Sequence, residues 1–299
     1  MGTVAAEVQK FFLDAKATQG GGFEKMLLEH ARNVSTPMAL RMLTQMGLDE
    51  NTSTAFRLLE NACGAGVVAP ILQQIIKPEV LQQSSILCGD FSEPMVELVK
   101  KRMGSEGWLN AEATKVDAQN TGLADASFTH VATNMGFHVV PDSKAALNES
   151  IRILKPGGVL GFTTPHLRGR EAGWAGEVRE AFKSFPFEAP FEMPLQVTAW
   201  GEWWNVDWVQ QTLVAKGLTD VEVDLFAFTS QVASVDSFMS GFGSSLNWIL
   251  NGCWPEELRK AHPREEVNGL VREFLERKYG GEGWKLSWVQ VVATGRVPS

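Results

Sequence analysis

Residues 56–66 constrain the fold of this 299-residue chain more than any other segment. A short apolar run reaches Glu60 and passes directly into the small residues Asn61-Ala62-Cys63-Gly64-Ala65-Gly66. Glycine lacks a Cβ, so the backbone at Gly64 and Gly66 can turn sharply and approach a ligand, and a helix starting near Val67 would direct its first amides toward that ligand. The pattern predicts a strand, a nucleotide-cofactor loop and a helix.

The spacing of this loop is compatible with two classes of cofactor. Gly64, Gly66 and Ala69 satisfy the loose dinucleotide pattern G-x-G-x-x-G/A, and Asp90 follows at about the distance expected for a ribose-binding acid, as in an NAD(P)-dependent oxidoreductase. Glu60 opposes that reading, because a carboxylate beside the loop repels a pyrophosphate and favours a ligand with a cationic amino-acid end or a sulfonium. S-adenosylmethionine has both features.

Four segments spread over roughly residues 56–164 resemble class I S-adenosylmethionine-dependent methyltransferases. They are Leu59-Glu60-Asn61-Ala62-Cys63-Gly64-Ala65-Gly66, Ile86-Leu87-Cys88-Gly89-Asp90, Val116-Asp117-Ala118-Gln119 and Arg152-Ile153-Leu154-Lys155-Pro156-Gly157-Gly158. The resemblance implies that Asp90 holds the ribose hydroxyls of the cofactor, that Asp117 receives the adenine amino group, and that Ala118 offers a backbone amide. The Asn61-Ala62-Cys63-Gly64 variant and a long helical insertion near the C-terminus are most similar to fungal small-molecule methyltransferases of specialised metabolism, including the gliotoxin thiol methyltransferase type.

The same resemblance implies S-adenosyl-L-methionine as the cofactor and assigns its binding to residues at the ends of the first four strands. These residues are Glu60, Ala62, Cys63, Gly64, Gly66, Asp90, Phe91, Met95, Asp117, Ala118, Asn134 and Met135.

The alternation of apolar runs with helical segments predicts an α/β fold, a doubly wound, mostly parallel sheet of seven strands with a helical cap. We expect strands at residues 56–60, 85–89, 112–116, 128–133, 158–164, 221–226 and 286–294, the last two antiparallel as in the resembled family. Residues 1–55 are predicted to form an N-terminal helical lid, with helices at residues 4–15 and 24–46, the second interrupted near Thr36-Pro37. Residues 56–299 are predicted to form the core, with cap segments at about 166–216 and 227–285.

Composition limits the classes of molecule that we expect the protein to bind. A net charge of -8 with no basic run argues against a nucleic-acid partner. The first residues show no positive segment followed by an apolar run, and no stretch of about 18 apolar residues occurs, so we expect no secretion, no membrane partner and a cytoplasmic location. The three cysteines have no metal-ligand spacing, so no metal site is expected. The expected partner is a small-molecule substrate.

Candidate catalytic and substrate residues are histidines and aromatics near the expected cleft. His138, after the fourth strand, and His166, beyond the fifth, are the candidate bases, and a histidine that caps or packs locally is the alternative that the sequence favours. Phe23, Trp200, Trp204 and Trp248 are candidate substrate contacts for an apolar or aromatic acceptor, and burial beneath the cap is their alternative role. The sequence does not decide between a thiol, an amine and a hydroxyl acceptor. It also leaves the alternative of a methyltransferase-like protein that binds the cofactor without methylating.

Overall fold

A computed structural model of the protein describes Glu7, residues 21–166 and residues 173–299, without the side chains of residues 21–23, 25, 26 and 244. The predicted helix at residues 4–15 lies almost wholly outside the described residues. The helices are α1 Gly21–His30, α2 Thr36–Gln45, α3 Val68–Ile75, α4 Pro78–Leu81, α5 Glu93–Glu106, α6 Ser143–Ile153, α7 Gly173–Lys183, α8 Val206–Ala215, α9 Val235–Phe242, α10 Leu246–Cys253, α11 Glu256–Ala261 and α12 Arg264–Tyr279. The strands are β1 Arg57–Asn61, β2 Ser85–Asp90, β3 Ala111–Lys115, β4 Phe128–Asn134, β5 Leu154–Pro165, β6 Thr219–Val232 and β7 Trp284–Arg296.

The seven strands form one sheet in the order β3-β2-β1-β4-β5-β7-β6. All neighbours pair in parallel except β7, which runs antiparallel to both β5 and β6. The predicted fold class is therefore confirmed. The strand order reverses between β1 and β4, since β2 and β3 lie on one side of β1 and β4 lies on the other. In such a sheet a ligand binds outside the carboxyl ends of the strands, at this reversal.

The central strands are apolar because both faces of the sheet are covered. Leu58 packs in a core cluster with Met42 of α2, whereas its neighbour Leu59 packs on the opposite face with Leu147 of α6. Successive side chains of a strand point to opposite faces, so a strand buried on both sides reads as a continuous apolar run. This arrangement explains why the core strands were predictable.

A third core cluster joins helices α7, α9, α10 and α12 with the C-terminal end of β6 and the N-terminal end of β7. It is built around Trp254, Val267 and Leu286. Of the predicted cap segment 166–216, α7 belongs to this cluster. In contrast, α8 packs on the sheet through Val209 and Leu213. The division of the chain into lid, core and cap stays a prediction.

The second predicted helical region, residues 24–46, is not interrupted near Thr36-Pro37. Helices α1 and α2 are joined by a π-helical turn, Ala31–Ser35, in which the Thr36 amide donates to the Ala31 carbonyl. The Thr36 hydroxyl donates to the same oxygen at 2.9 Å. Pro37 has no amide to donate and its ring crowds the preceding turn, so the wider π turn lets the helix continue through it. Within the described ranges, no helix combines the length and the apolar character needed to cross a membrane.

Candidate active site

The loop after β1 turns through three residues with positive φ: Ala62 at 52°, Gly64 at 53° and Gly66 at 73°. A Cβ on Gly66 would lie 3.2 Å from a Val99 methyl group and 3.3 Å from the Trp108 ring. Gly66 therefore allows α5 and the segment after it to pack closely behind the loop. It does not line the cavity described below, so its predicted role as a direct ligand contact needs correction.

Glu60 also lies behind the loop. Its buried carboxylate accepts hydrogen bonds from the amides of Val67, Val68 and Ala69, at 2.7, 2.9 and 3.0 Å. Burial raises the pKa of this carboxyl group, and the backbone hydrogen bonds act in the opposite direction. The predicted contact between Glu60 and a cationic ligand is thus corrected to a positioning role. Because Glu60 occupies the first amides of α3, these amides are not available to a pyrophosphate.

A cavity of about 430 Å³ opens at the carboxyl ends of β1, β2 and β4. Ten of the twelve predicted cofactor residues line it, namely Ala62, Cys63, Gly64, Asp90, Phe91, Met95, Asp117, Ala118, Asn134 and Met135. Its volume falls within the usual range for small-molecule sites. The strand ends thus bring most of the predicted residues to one place. We call this the first cavity.

Asp90 is the carboxylate at the end of β2 that faces the first cavity. One of its oxygens accepts from the Gly64 amide at 2.8 Å and the other from the Ser92 amide at 2.9 Å. Burial raises the pKa of Asp90, and these two amides lower it. Asp117 is held in a similar way, since its Oδ1 accepts from the amide and the side chain of Gln119, each at 2.9 Å. Each carboxylate keeps free lone pairs for a ligand.

Asn134 at the end of β4 and the next residue, Met135, line the first cavity. Asn134 Oδ1 accepts from the Thr163 hydroxyl at 2.6 Å, and the amide of Met135, a residue with φ of 59°, donates to Thr163. At Gly136 a Cβ would lie 2.5 Å from Thr133 and 3.2 Å from Ala62. The absence of a side chain at Gly136 therefore lets this loop approach the loop after β1.

A second cavity of about 320 Å³ adjoins the first. Leu27, His30, Ser35, Met135 and Val139 line both cavities. The outer wall of the second cavity carries four aromatic side chains contributed by α7, α9, α10 and β7: Trp174, Phe242, Trp248 and Trp288. Because they share lining residues, the two cavities lie side by side between the carboxyl ends of the strands and α1, and we refer to them together as the cleft.

The predicted substrate residues separate in the structure. Trp248 lines the second cavity. Trp200 lines neither cavity and packs against Trp203 and Trp208, with ring centroids 5.8 and 5.2 Å away, in the core cluster beneath α8. Trp204 is half-buried and also lines neither cavity, so the expectation for both residues is corrected. The side chain of Phe23 lies outside the described residues.

The histidines differ from expectation as well. His138 lines the second cavity, and its Nδ1 is buried without a hydrogen-bond partner among the described residues. Burial lowers the pKa of His138 to about 3. His166 lines neither cavity, which corrects its candidacy as a base. His30 lines both cavities instead, and burial lowers its pKa to about 4.

His30, Gln290 and Trp288 line this cleft although none of them was among the predicted site residues. The position of His30 on a helix that precedes the core could have indicated that its side chain reaches the cleft. The π turn that follows it decides which face of the helix meets the cleft, and no local pattern announces that turn.

Comparison with known proteins agrees with this geometry. Residues 59–162 match the methyltransferase domain family. The chain is 31% identical over 274 residues to Methyltransferase tpcH of Aspergillus fumigatus, covering 90% of this chain and 94% of the relative. It is 28% identical over 273 residues to acetylaranotin bis-thiomethyltransferase of Aspergillus terreus, covering 90% and 92% of the two chains.

Solved structures share the fold. Phosphoethanolamine N-methyltransferase 2 of Haemonchus contortus, determined in complex with S-adenosyl-L-methionine, aligns with a TM-score of 0.55 at 16% identity. The alignment covers 97% of this chain and 60% of that one. The predicted resemblance is confirmed by the identity and coverage of the fungal relative, and the chain belongs to the methyltransferase family.

Proposed function

We propose that this protein transfers a methyl group from S-adenosylmethionine to a small-molecule acceptor. The first cavity would hold the methyl donor and the second cavity the acceptor. The observation that carries the proposal is the junction of the two cavities at His30, Ser35, Met135 and Val139, where a bound donor and acceptor would meet. Methyl transfer from sulfur is an in-line displacement, so a site that aligns two ligands end to end supplies what the reaction needs.

The residues of the first cavity fit an adenosyl ligand. Asp90 offers carboxylate lone pairs to vicinal hydroxyls, as a charge-assisted acceptor. Asp117 offers an oxygen to an amino group, and Phe91 and Met95 offer apolar surface to a planar ring. S-adenosylmethionine, when bound, supplies an electrophilic methyl group on a sulfonium. A dinucleotide fits less well, because Glu60 occupies the helix amides that a pyrophosphate would use.

In this proposal the protein orients the ligands and excludes water. The aromatic wall of the second cavity and the helix formed by α1, the π turn and α2 shield the junction from solvent. His30 and His138 are neutral at pH 7, and pKa values of about 4 and 3 make them weak bases. We therefore assign them a role in orienting the acceptor by hydrogen bonding, and not in removing a proton.

The acceptor is proposed at the level of its class. A thiol is supported by the relative named as a bis-thiomethyltransferase. Hydroxyl and amine acceptors are also included in the proposal. We further propose that the acceptor is a specialised metabolite. A protein that binds the cofactor without methylating would have the same first cavity, so only the detection of methylated product separates it from an enzyme.

Two measurements test the proposed function. Calorimetric titration should show micromolar binding of S-adenosylmethionine and S-adenosylhomocysteine, and no binding of oxidised NAD or NADP. Incubation with methyl-labelled S-adenosylmethionine and a panel of aromatic thiols and alcohols should then give labelled product by mass spectrometry. Binding of the dinucleotides alone would overturn the proposal, whereas adenosyl binding without product from any acceptor would leave a cofactor-binding protein that does not methylate.

A further inference from the structure

Gln290 is a buried residue whose side-chain oxygen forms no hydrogen bond within the described part of the chain. It lies on β7, is 5% exposed and lines the second cavity. Its Oε1 is fully buried and has no hydrogen-bond partner among the described residues. Buried polar atoms nearly always have a partner, and each exception needs a physical explanation.

Gln196 lines the same cavity and shows the opposite behaviour. Its oxygen accepts from the Trp203 amide at 3.0 Å, and its nitrogen donates to the carbonyls of Thr198 and Gly201 at 3.0 and 2.7 Å. The Gln196 amide therefore stabilises the segment before α8. No such structural task explains Gln290.

The position of Gln290 is rigid. It pairs with Pro165 of β5 on one side and with Phe226 of β6 on the other. Alternation along β7 places Trp288 on the same face, and the Trp288 ring is held by a 2.8 Å hydrogen bond from its Nε1 to the Ser230 hydroxyl. A polar group fixed in the interior of a sheet beside an ordered aromatic wall is preorganised for a ligand.

His138 provides a second polar atom of the same kind. It is 8% exposed, and its Nδ1 is also buried and without a partner among the described residues. Its backbone carbonyl accepts from the Val197 amide at 2.7 Å, which fixes the residue against the segment before α8. Two residues that line one aromatic cavity thus each carry a buried polar atom without a partner among the described residues, and both side chains are neutral at pH 7.

We propose that Gln290 and His138 form the polar part of the acceptor site, and that the acceptor is a flat apolar molecule with an uncharged hydrogen-bond donor for the Gln290 amide oxygen. This inference rests on the proposed function, since that proposal assigns the second cavity to the acceptor. The aromatic rings of Trp174, Trp248 and Trp288 bind the flat skeleton, and Gln290 selects among skeletons by the hydroxyl or thiol they carry. An isostere without the donor leaves the amide unpaired and binds more weakly.

The first test measures the binding of naphthol, naphthalenethiol and methylnaphthalene to the protein saturated with S-adenosylhomocysteine, by quenching of tryptophan fluorescence. The wild type should prefer naphthol or naphthalenethiol over methylnaphthalene by about tenfold. Gln290→Leu should abolish that preference and keep its affinity for methylnaphthalene and for S-adenosylhomocysteine. Its thermal stability should not fall, because the Gln290 side-chain oxygen has no hydrogen-bond partner among the described residues.

Gln196→Leu is the matched control from the same cavity. It should lower thermal stability, because it removes three hydrogen bonds to the backbone. A gain-of-function variant completes the design: Gln290→Glu should bind naphthylmethylammonium about tenfold more tightly than the wild type does, since it supplies a carboxylate to the cation.

Three results would overturn the inference. They are equal binding of naphthol and methylnaphthalene by the wild type, a preference that survives in Gln290→Leu, and binding of no naphthalene by a protein that still binds S-adenosylhomocysteine. Failure of the proposed function is separate, because it would appear as a wild type that does not bind S-adenosylhomocysteine.

Discussion

Glu60 and Asp90 are two carboxylates at neighbouring strand ends with different tasks. Glu60 is fully buried and accepts hydrogen bonds from the Val67 amide and the first two amides of α3, whereas Asp90 accepts hydrogen bonds from two amides and still lines the first cavity. Both were predicted as ligand contacts, because each follows an apolar run and precedes a loop. The difference arises from the position along the strand. Glu60 is followed by one more strand residue, so its side chain points toward α3, while Asp90 ends β2 at the rim.

The positioning role of Glu60 predicts a loss of stability in Glu60→Gln. The substitution replaces one acceptor oxygen with a donor that faces backbone N–H groups. We expect the free energy of unfolding to fall by about 1.5 to 3 kcal/mol, as for other hydrogen bonds to charged groups. Urea unfolding would measure the change. Glu97→Gln, at an exposed site on α5, serves as the control and should change stability by less than about 0.5 kcal/mol. Equal effects of the two variants would contradict the role assigned to Glu60.

Asp90→Asn tests the ligand contact itself. The amide keeps one acceptor oxygen for the Gly64 or Ser92 amide but loses the charge that strengthens hydrogen bonds from ribose hydroxyls. We expect calorimetry to show affinity for S-adenosylhomocysteine lowered by roughly tenfold or more. The exposed neighbour Glu93, mutated to Gln, should bind as the wild type does. Unaltered affinity in Asp90→Asn would remove Asp90 from the proposed site.

At the scale of elements, the second cavity depends on how α7 begins. Gly173, its first residue, has φ of 60°, and a Cβ there would lie 2.6 Å from the Trp288 ring. The glycine therefore lets the helix start directly against a tryptophan that forms part of the cavity wall. This contact joins residues far apart in the chain, so no local pattern could have predicted it.

Gly173→Ala should disturb the second cavity and spare the first. The added methyl group must displace the Trp288 ring and also adopts an unfavourable backbone conformation, which together should cost about 1 to 3 kcal/mol of stability. Naphthol binding should weaken while S-adenosylhomocysteine binding persists, and both can be measured by fluorescence and calorimetry. Gly269→Ala in α12, where a Cβ has open space, is the control and should stabilise by about 0.5 to 1 kcal/mol. Normal naphthol binding in Gly173→Ala would show that Trp288 does not shape the acceptor site.

For the whole molecule, the central sheet was predictable and the acceptor cleft was not. Parallel strands buried on both faces read as apolar runs, and the loops after β1 and β2 carry short-range motifs. The edge strand β6 and its neighbour β7 are longer than predicted, and acidic residues interrupt the apolar pattern of β6. One of these, Asp224, binds Arg41 of α2 at 2.7 Å. Trp200 and Trp248 were both predicted as substrate contacts, and only tertiary packing separates them. Trp200 packs against Trp203 and Trp208, whereas Trp248 lines the second cavity.

The buried histidines couple the stability of the whole fold to pH. Burial lowers the pKa values of His30, His130 and His138 to about 4, 4 and 3, from 6.5. Below pH 6.5 the unfolded chain therefore binds more protons than the folded protein, and the free energy of unfolding falls as the pH falls toward about 4. Glu60 and Asp90, whose pKa values are raised, oppose this trend. Glu149, whose pKa is lowered from 4.5 to about 2, adds stability that is fully present above pH 4.5 and is lost as the pH falls from there toward about 2.

His130→Gln isolates one part of this coupling, because His130 lies within β4 and lines neither cavity. It contacts the Phe56 ring edge-on, and Arg296 contributes to lowering its pKa. The wild type should lose stability relative to His130→Gln as the pH falls, by up to about 1.4 kcal/mol per pH unit between the two pKa values. Urea unfolding of both proteins between about pH 7.5 and about pH 5 measures this difference, in which the opposing carboxylates cancel. Parallel pH profiles would show that His130 remains protonatable in the folded protein, and that burial in the sheet does not hold it neutral.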